Sequence, residues 1–260
     1  MAYPISVFHA MEQSLPSVPA RSTDYQPITT SAASTQQTDP VRILFRLPRE
    51  VLMDPVSNAM KKLPPISECR ATTMPKPEKS HFLKTEGDVL RVSALQLVHP
   101  VNLVLEDLFP NLNLQCLSEA VSGRSRTDLK WVLDGSKTVA ILEYKNTRVI
   151  RAADFEPAIT TRELKEQALA KAMEDDKEDP KEEFTLLEDN AIVLTKQVKK
   201  YSKICKDIAV FDWHSMCVFE TYIDGKPEIA EYTYSCDPQH FRSLLLGMIL
   251  KGLAKIGKTP

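Results

Sequence analysis

The segment Thr138–Tyr144, followed by Lys145, constrains this chain more than any other. It reads Thr-Val-Ala-Ile-Leu-Glu-Tyr-Lys and is apolar on both faces until its end. Val139, Ile141 and Tyr144 favour extended backbone. A strand without a polar face belongs at the centre of a sheet, covered on both sides. Side chains alternate along a strand, so Val139, Ile141, Glu143 and Lys145 are expected on one face and Ala140, Leu142 and Tyr144 on the other. A carboxylate and an ammonium thus project together from the end of a buried strand. Charges in such a place are paired or used.

The residues before it supply a partner strand. Trp131, Val132 and Leu133 suit a strand, and Asp134-Gly135 is a strong hairpin turn signal. Two registers are open. A Gly135-Ser136 loop sets Asp128 opposite Glu143, with Cβ atoms ~5 Å apart. An Asp134-Gly135 loop sets Arg126 there instead, giving an ordinary cross-strand salt bridge. In the first register two carboxylates repel by ~3 kcal/mol at an effective dielectric of ~20. Such a pair persists if a divalent cation binds it or one carboxyl keeps its proton.

Residues 190–207 read as a helix whose apolar stripe is Leu194, Val198, Tyr201 and Cys205. Gln197 and Tyr201 stand one turn apart on it. Tyr201 is either a core aromatic or a group aimed at the charged strand end. Two strands follow, Ile208–Trp213 and Met216–Ile223, joined through His214-Ser215. Val101–Phe109 suits a helix and Leu114–Val121 a strand entering the hairpin.

Asp128, then Glu143-Tyr144-Lys145 at the end of an apolar strand, resembles the PD-(D/E)XK nuclease superfamily. The Gln197-x-x-x-Tyr201 pair on the next helix is similar to the RecB-like branch, where these residues flank the active site. The resemblance covers residues 100–235 and is closest to uncharacterised fungal members. It implies an α/β fold, restriction-endonuclease-like, with a mixed central sheet flanked by helices. It implies a nuclease that hydrolyses phosphodiester bonds of DNA or RNA with Mg2+ or Mn2+. Asp128, Glu143 and Lys145 would be the catalytic triad, joined by Gln197 and Tyr201. The metal would sit on Asp128, Glu143 and the backbone carbonyl of Tyr144. An upstream acid, Glu106 or Glu119, is expected to join them. Where many members have proline before the aspartate, this chain has Thr127.

The chemistry suits those residue types. Magnesium takes oxygen ligands from one or two carboxylates and keeps several waters. A cation so held activates water and offsets charge developing on a phosphodiester. Lys145 would stabilise the transition state, and Arg124 and Arg126 would lie near phosphate. An alternative is a catalytically inactive member of this fold, acting as a protein-interaction or nucleic-acid-binding module. An unrelated α+β scaffold follows if Arg126 faces Glu143.

Composition bounds the rest. The five histidines and five cysteines show no ligand spacing and no Cys-x-x-Cys pair, which argues against a zinc site. Seven glycines make no phosphate-binding glycine loop. A net charge of −2 argues against a surface that coats nucleic acid. It leaves a local groove for a nucleic-acid substrate. No apolar run reaches the ~20 residues of a membrane span, and the start lacks a secretion leader's pattern. Cysteines without evident pairing suit a reducing compartment, so the cytoplasm or nucleus is expected.

Residues 1–85 are rich in Pro, Ser, Thr and Gln and are expected to be a largely disordered tail, available to protein partners. One island in it, Val41–Pro48, suits a short strand or a docking peptide. Residues 86–260 are expected to form the nuclease-like domain. Its acidic run near 174–183 reads as a solvated insertion, preceded by a helix at 161–173. A C-terminal helix is expected to start at Pro238, with Asp237 as its N-cap, and to end at Gly257.

Overall fold

The computed structural model describes residues 4–28, 33–122, 125–174 and 185–260. Its helices, in chain order, are α1 (Val7–Ala10), α2 (Ala33–Gln36), α3 (Glu50–Lys62), α4 (Glu68–Ala71), α5 (Glu86–Ser93), α6 (His99–Leu108), α7 (Lys165–Glu174), α8 (Asp189–Tyr201) and α9 (Phe241–Ala254). Its strands are β1 (Ile43–Arg46), β2 (Leu114–Ser122), β3 (Ser125–Leu133), β4 (Lys137–Tyr144), β5 (Ile159–Thr160), β6 (Asp207–Phe211), β7 (Met216–Thr221) and β8 (Ile229–Ser235). The strands form one eight-stranded mixed sheet in the order β2-β3-β4-β6-β7-β8-β1-β5. This is an α/β protein with β4 and β6 parallel neighbours at mid-sheet.

The two faces follow from the period-two pattern. Ala140, Leu142, Tyr144, Ala209, Phe211 and Val218 pack towards α3, α5, α6 and α9. Ile141, Ile208, Val210, Cys217 and Phe219 pack towards α8 and Phe155. Strands buried on both sides explain the continuous apolar runs.

The hairpin adopts neither two-residue turn. Leu133 pairs with Lys137, enclosing Asp134, Gly135 and Ser136. Asp134 and Gly135 are both left-handed, at φ 51° and 68°. A bulge follows: Val132 faces Thr138, whereas Trp131 faces Ala140. The extra residue restores the register that a Gly135-Ser136 loop would give, with Lys130 opposite Ile141 and Leu129 opposite Leu142. Continued by one residue, it brings Asp128 to Glu143. The bulge also corrects one expectation. Val139 packs in the core with Ala140 and Leu142, not with Ile141, because an inserted residue shifts the alternation by one.

Helix α9 lies close against this bulge. A Cβ on Gly252 would stand 2.2 Å from the carbonyl oxygen of Val139, and one on Gly247 would stand 2.1 Å from that of Leu52. These two glycines let α9 touch β4 and α3 at backbone distance. The helix starts at Phe241 rather than directly after Asp237, because 237–240 form a turn in which Asp237 accepts from Gln239 N–H. Gly257, at φ 76°, closes it as expected.

The expectation of a disordered tail over residues 1–85 is corrected for the described residues 4–28 and 33–85; residues 1–3 and 29–32 lie outside the described residues. Val7, Met11, Leu15 and Val18 are buried in the main core, as are Leu52, Val56 and Leu83. The island at 41–48 forms β1, between β8 and β5. Arg242, 2 % exposed on α9, donates to the carbonyls of Ala10, Gln13 and Gln96 and so ties the N-terminal segment down. Composition misled because the anchoring apolar residues are widely spaced, and the carbonyls of Ala10 and Gln13 between them are satisfied by a distant arginine. Most of the acidic run lies outside the described residues. Among the described residues no helix is long and apolar enough to cross a membrane.

Candidate active site

Glu143 is the last residue but one of β4 and is 4 % exposed. Lys145 follows the strand and is 7 % exposed. Both stand on the α8 side of the sheet. The Lys145 ammonium donates to Glu143 Oε1 at 2.8 Å and to the Tyr144 carbonyl at 2.7 Å. Gln197 of α8 donates to the same Glu143 oxygen at 2.9 Å. The other oxygen, Glu143 Oε2, is buried with no hydrogen-bond partner. A buried carboxylate oxygen left in that state costs on the order of 1–3 kcal/mol.

Asp128, on β3, accepts the Tyr144 backbone N–H at 2.7 Å through Oδ2. This bond holds its carboxyl at the end of β4. Burial, then the neighbouring Glu143 carboxylate, pushes Asp128 up from 3.8 to about 6. Tyr201, 3 % exposed, is held far above the usual phenol range by burial first and then by the charge of Glu143, to which it also hydrogen-bonds. Its ring belongs to the core beneath α8 while its hydroxyl serves Glu143, so both readings of this residue hold at once. Asp128, Glu143, Lys145, Gln197 and Tyr201 are thus brought together.

Neither expected upstream acid is seen to join them. Glu106 is exposed on α6, beside a hollow lined by Trp131 and Phe109 that belongs to the opposite face of the sheet. The side chain of Glu119 lies outside the described residues, as do Arg124 and the side chain of Arg126. The acid that does approach is Glu86, in the first turn of α5. Its Oε2 is 3.6 Å from the Lys145 ammonium. Burial raises Glu86, Lys145 draws it down and Asp128 raises it again. Its sequence signal was the capping box Thr85-Glu86-Gly87-Asp88, in which Thr85 and Asp88 bond reciprocally and fix where the helix begins. That box marks a helix start, not a site, so Glu86 was missed.

The electrostatics favour a cation. Three carboxyl groups (Asp128, Glu143, Glu86) surround one ammonium. Lys145 is raised by Glu143 and Glu86 in spite of its burial, so it stays protonated. A divalent ion on the free Glu143 oxygen and on Asp128 would relieve both the orphaned oxygen and the repulsion. The donor set is all oxygen, which suits Mg2+ or Mn2+ with water completing the shell. Among the described residues no group of three or more His, Cys, Asp or Glu side chains could hold a metal together. The two-carboxylate arrangement is therefore what the residues can offer. The Tyr144 carbonyl, expected as a further ligand, is engaged by Lys145.

No protein-family model, no curated protein and no solved structure matches this chain.

Proposed function

We propose that this protein is a restriction-endonuclease-like, Mg2+- or Mn2+-dependent nuclease that hydrolyses phosphodiester bonds of DNA or RNA. The observation that carries the reading is the Asp128–Glu143 pair, with one buried and unbonded carboxylate oxygen beside a protonated lysine. Asp128 and Glu143 would hold the cation, whose bound charge would polarise the phosphodiester and lower the pKa of water. The chain's own groups set the geometry. Tyr144 N–H fixes Asp128, and Gln197 and Tyr201 fix the rotamer of Glu143. Lys145, anchored by Glu143, presents an ammonium where negative charge grows on the phosphoryl oxygens. The role of Glu86, 3.6 Å from the Lys145 ammonium, is to help keep it protonated.

A second reading rests on a specific contact. Lys145 Nζ already sits on both Glu143 and the Tyr144 carbonyl, so an inactive module of the same fold would use this ion pair for stability alone. The test is cleavage of labelled single- and double-stranded DNA and RNA, with Mg2+, Mn2+ or chelator. Metal-dependent cleavage lost in Asp128→Ala and cut by about two orders of magnitude or more in Lys145→Ala supports the nuclease. Undiminished cleavage in both variants defeats the assigned roles. Absence of cleavage with every substrate, together with no metal binding, selects the inactive module.

A further inference from the structure

Beside the site lies a second cluster that the nuclease reading does not use. A cleft of about 410 Å3 is lined by Tyr25, Arg148, Arg151, His214, Ser215 and Tyr234, among others. Arg148 Nε and His214 Nε2 are both buried with no hydrogen-bond partner. The carboxylates nearby are already committed. Asp212 is fully buried and accepts the backbone N–H groups of Ile150, His214 and Ser215. Asp154 accepts from the Tyr25 hydroxyl and from Arg151, and Arg151 also bonds Asp189. Among the described residues Arg148 has no acidic partner, so its positive charge is uncompensated.

The backbone is shaped to present these groups. Arg148 at φ 65° and Trp213 at φ 75° both lie in the left-handed region, which non-glycine residues enter rarely; strained residues of this kind cluster at ligand clamps and active sites. Burial and the adjacent Arg148 draw His214 down to about 4, so its ring is neutral near neutral pH and offers one donor and one acceptor. Ser215 and Tyr234 add hydroxyls, 3.1 Å apart. A guanidinium, an imidazole and hydroxyls around a cleft without a free carboxylate match the acceptor-rich surface of a phosphate.

We propose that this cleft binds a phosphate monoester, and that its occupant is the phosphorylated end of the strand being cleaved. The cleft chemistry stands on its own; the choice of occupant rests on the nuclease reading. Arg148 is three residues from Lys145, a span of at most ~10 Å of backbone. A phosphate at Arg148 and a scissile linkage at Lys145 would thus belong to one ligand, with cleavage close to its end. The cleft is lined by Tyr25 and by Tyr234, Cys236 and Pro238, and a terminal phosphate, which carries more negative charge than a diester, matches the uncompensated Arg148 guanidinium better than a passing backbone. A free mononucleotide shares this chemistry, and the experiment separates the two.

The test is fluorescence anisotropy of labelled single-stranded oligonucleotides carrying 5′-phosphate, 3′-phosphate or hydroxyl ends, with chelator present to prevent cleavage. The expected result is that one phosphorylated end binds at least about tenfold more tightly than the hydroxyl end, the scale of one hydrogen bond to a charged group. Inorganic phosphate should erase that preference. Arg148→Gln should remove it while binding of the hydroxyl-ended strand changes less than about twofold. Arg148→Lys should keep part of it. Equal binding of all ends by the unaltered protein overturns the proposal without relying on any variant. Binding of uridine monophosphate without any gain for phosphorylated strands overturns the strand-end assignment. End preference without metal-dependent cleavage leaves the cleft standing and sinks the nuclease. Cleavage without end preference does the reverse.

Discussion

The Asp128 carboxyl gives the sharpest prediction, because its proposed role and its stability cost are opposed. Holding that group near 6 rather than at 3.8 corresponds to about 3 kcal/mol of strain against the ionised form, at roughly 1.4 kcal/mol per tenfold. Below about pH 4 the carboxyl is protonated in both the folded and the unfolded chain and contributes nothing. Between about pH 4 and 6 the unfolded chain releases its proton first, so stability falls as pH rises. Above about pH 6 the whole penalty is present. Asp128→Asn keeps an oxygen for the Tyr144 N–H, bonded at 2.7 Å in the native protein, and has no charge to oppose Glu143. The variant should match the native protein near pH 4 and exceed it by up to about 3 kcal/mol near pH 8, both in chelator. Urea denaturation at the two pH values measures this. Saturating Mg2+ should then narrow the gap, because only the native protein gains binding energy, about 2.7 kcal/mol at a hundredfold excess over Kd. A variant no more stable than the native protein near pH 8, or equally favoured at both pH values, would refute the reasoning.

Other outcomes follow from single contacts. Gln197→Ala removes the amide that holds Glu143 Oε1 and should weaken Mg2+ binding roughly 10–100-fold, read by calorimetry, with little change in melting temperature. Gly252→Ala would force a methyl to within 2.2 Å of the Val139 carbonyl; we expect a loss of about 1–3 kcal/mol, seen as a lower urea midpoint. Arg242→Ala leaves the carbonyls of Ala10, Gln13 and Gln96 without their donor. Each orphaned group costs on the order of 1–3 kcal/mol, so the N-terminal segment should become a preferred site of limited proteolysis. Cleavage first elsewhere in the chain would count against the anchoring role.

The cluster at the end of β4 was legible because a carboxylate and an ammonium at the end of a strand with no polar face must be paired or used. What the sequence left open was the register, and physics beyond the turn decided it. Asp134-Gly135 announced a hairpin correctly, yet the register was set by a three-residue loop together with a bulge at Val139, which lies outside the turn. At the bulge Val139 meets Gly252, 113 positions away in sequence, and such a partner is invisible to local propensity. Glu86 was hidden for a related reason. Its own neighbours explain it fully as the first residue of a capped helix, and only tertiary packing brings it to Lys145. The N-terminal error has the same root. Disorder arguments weigh average composition, whereas Val7, Met11, Leu15 and Val18 are held by where their few apolar atoms land and by one arginine from the far end of the chain. Features fixed within a strand and its turn can be read locally. Features fixed by α9 touching down on the sheet cannot, and in this protein α9 lies against the bulge beside Asp128's strand and carries the arginine that binds the carbonyls of Ala10 and Gln13.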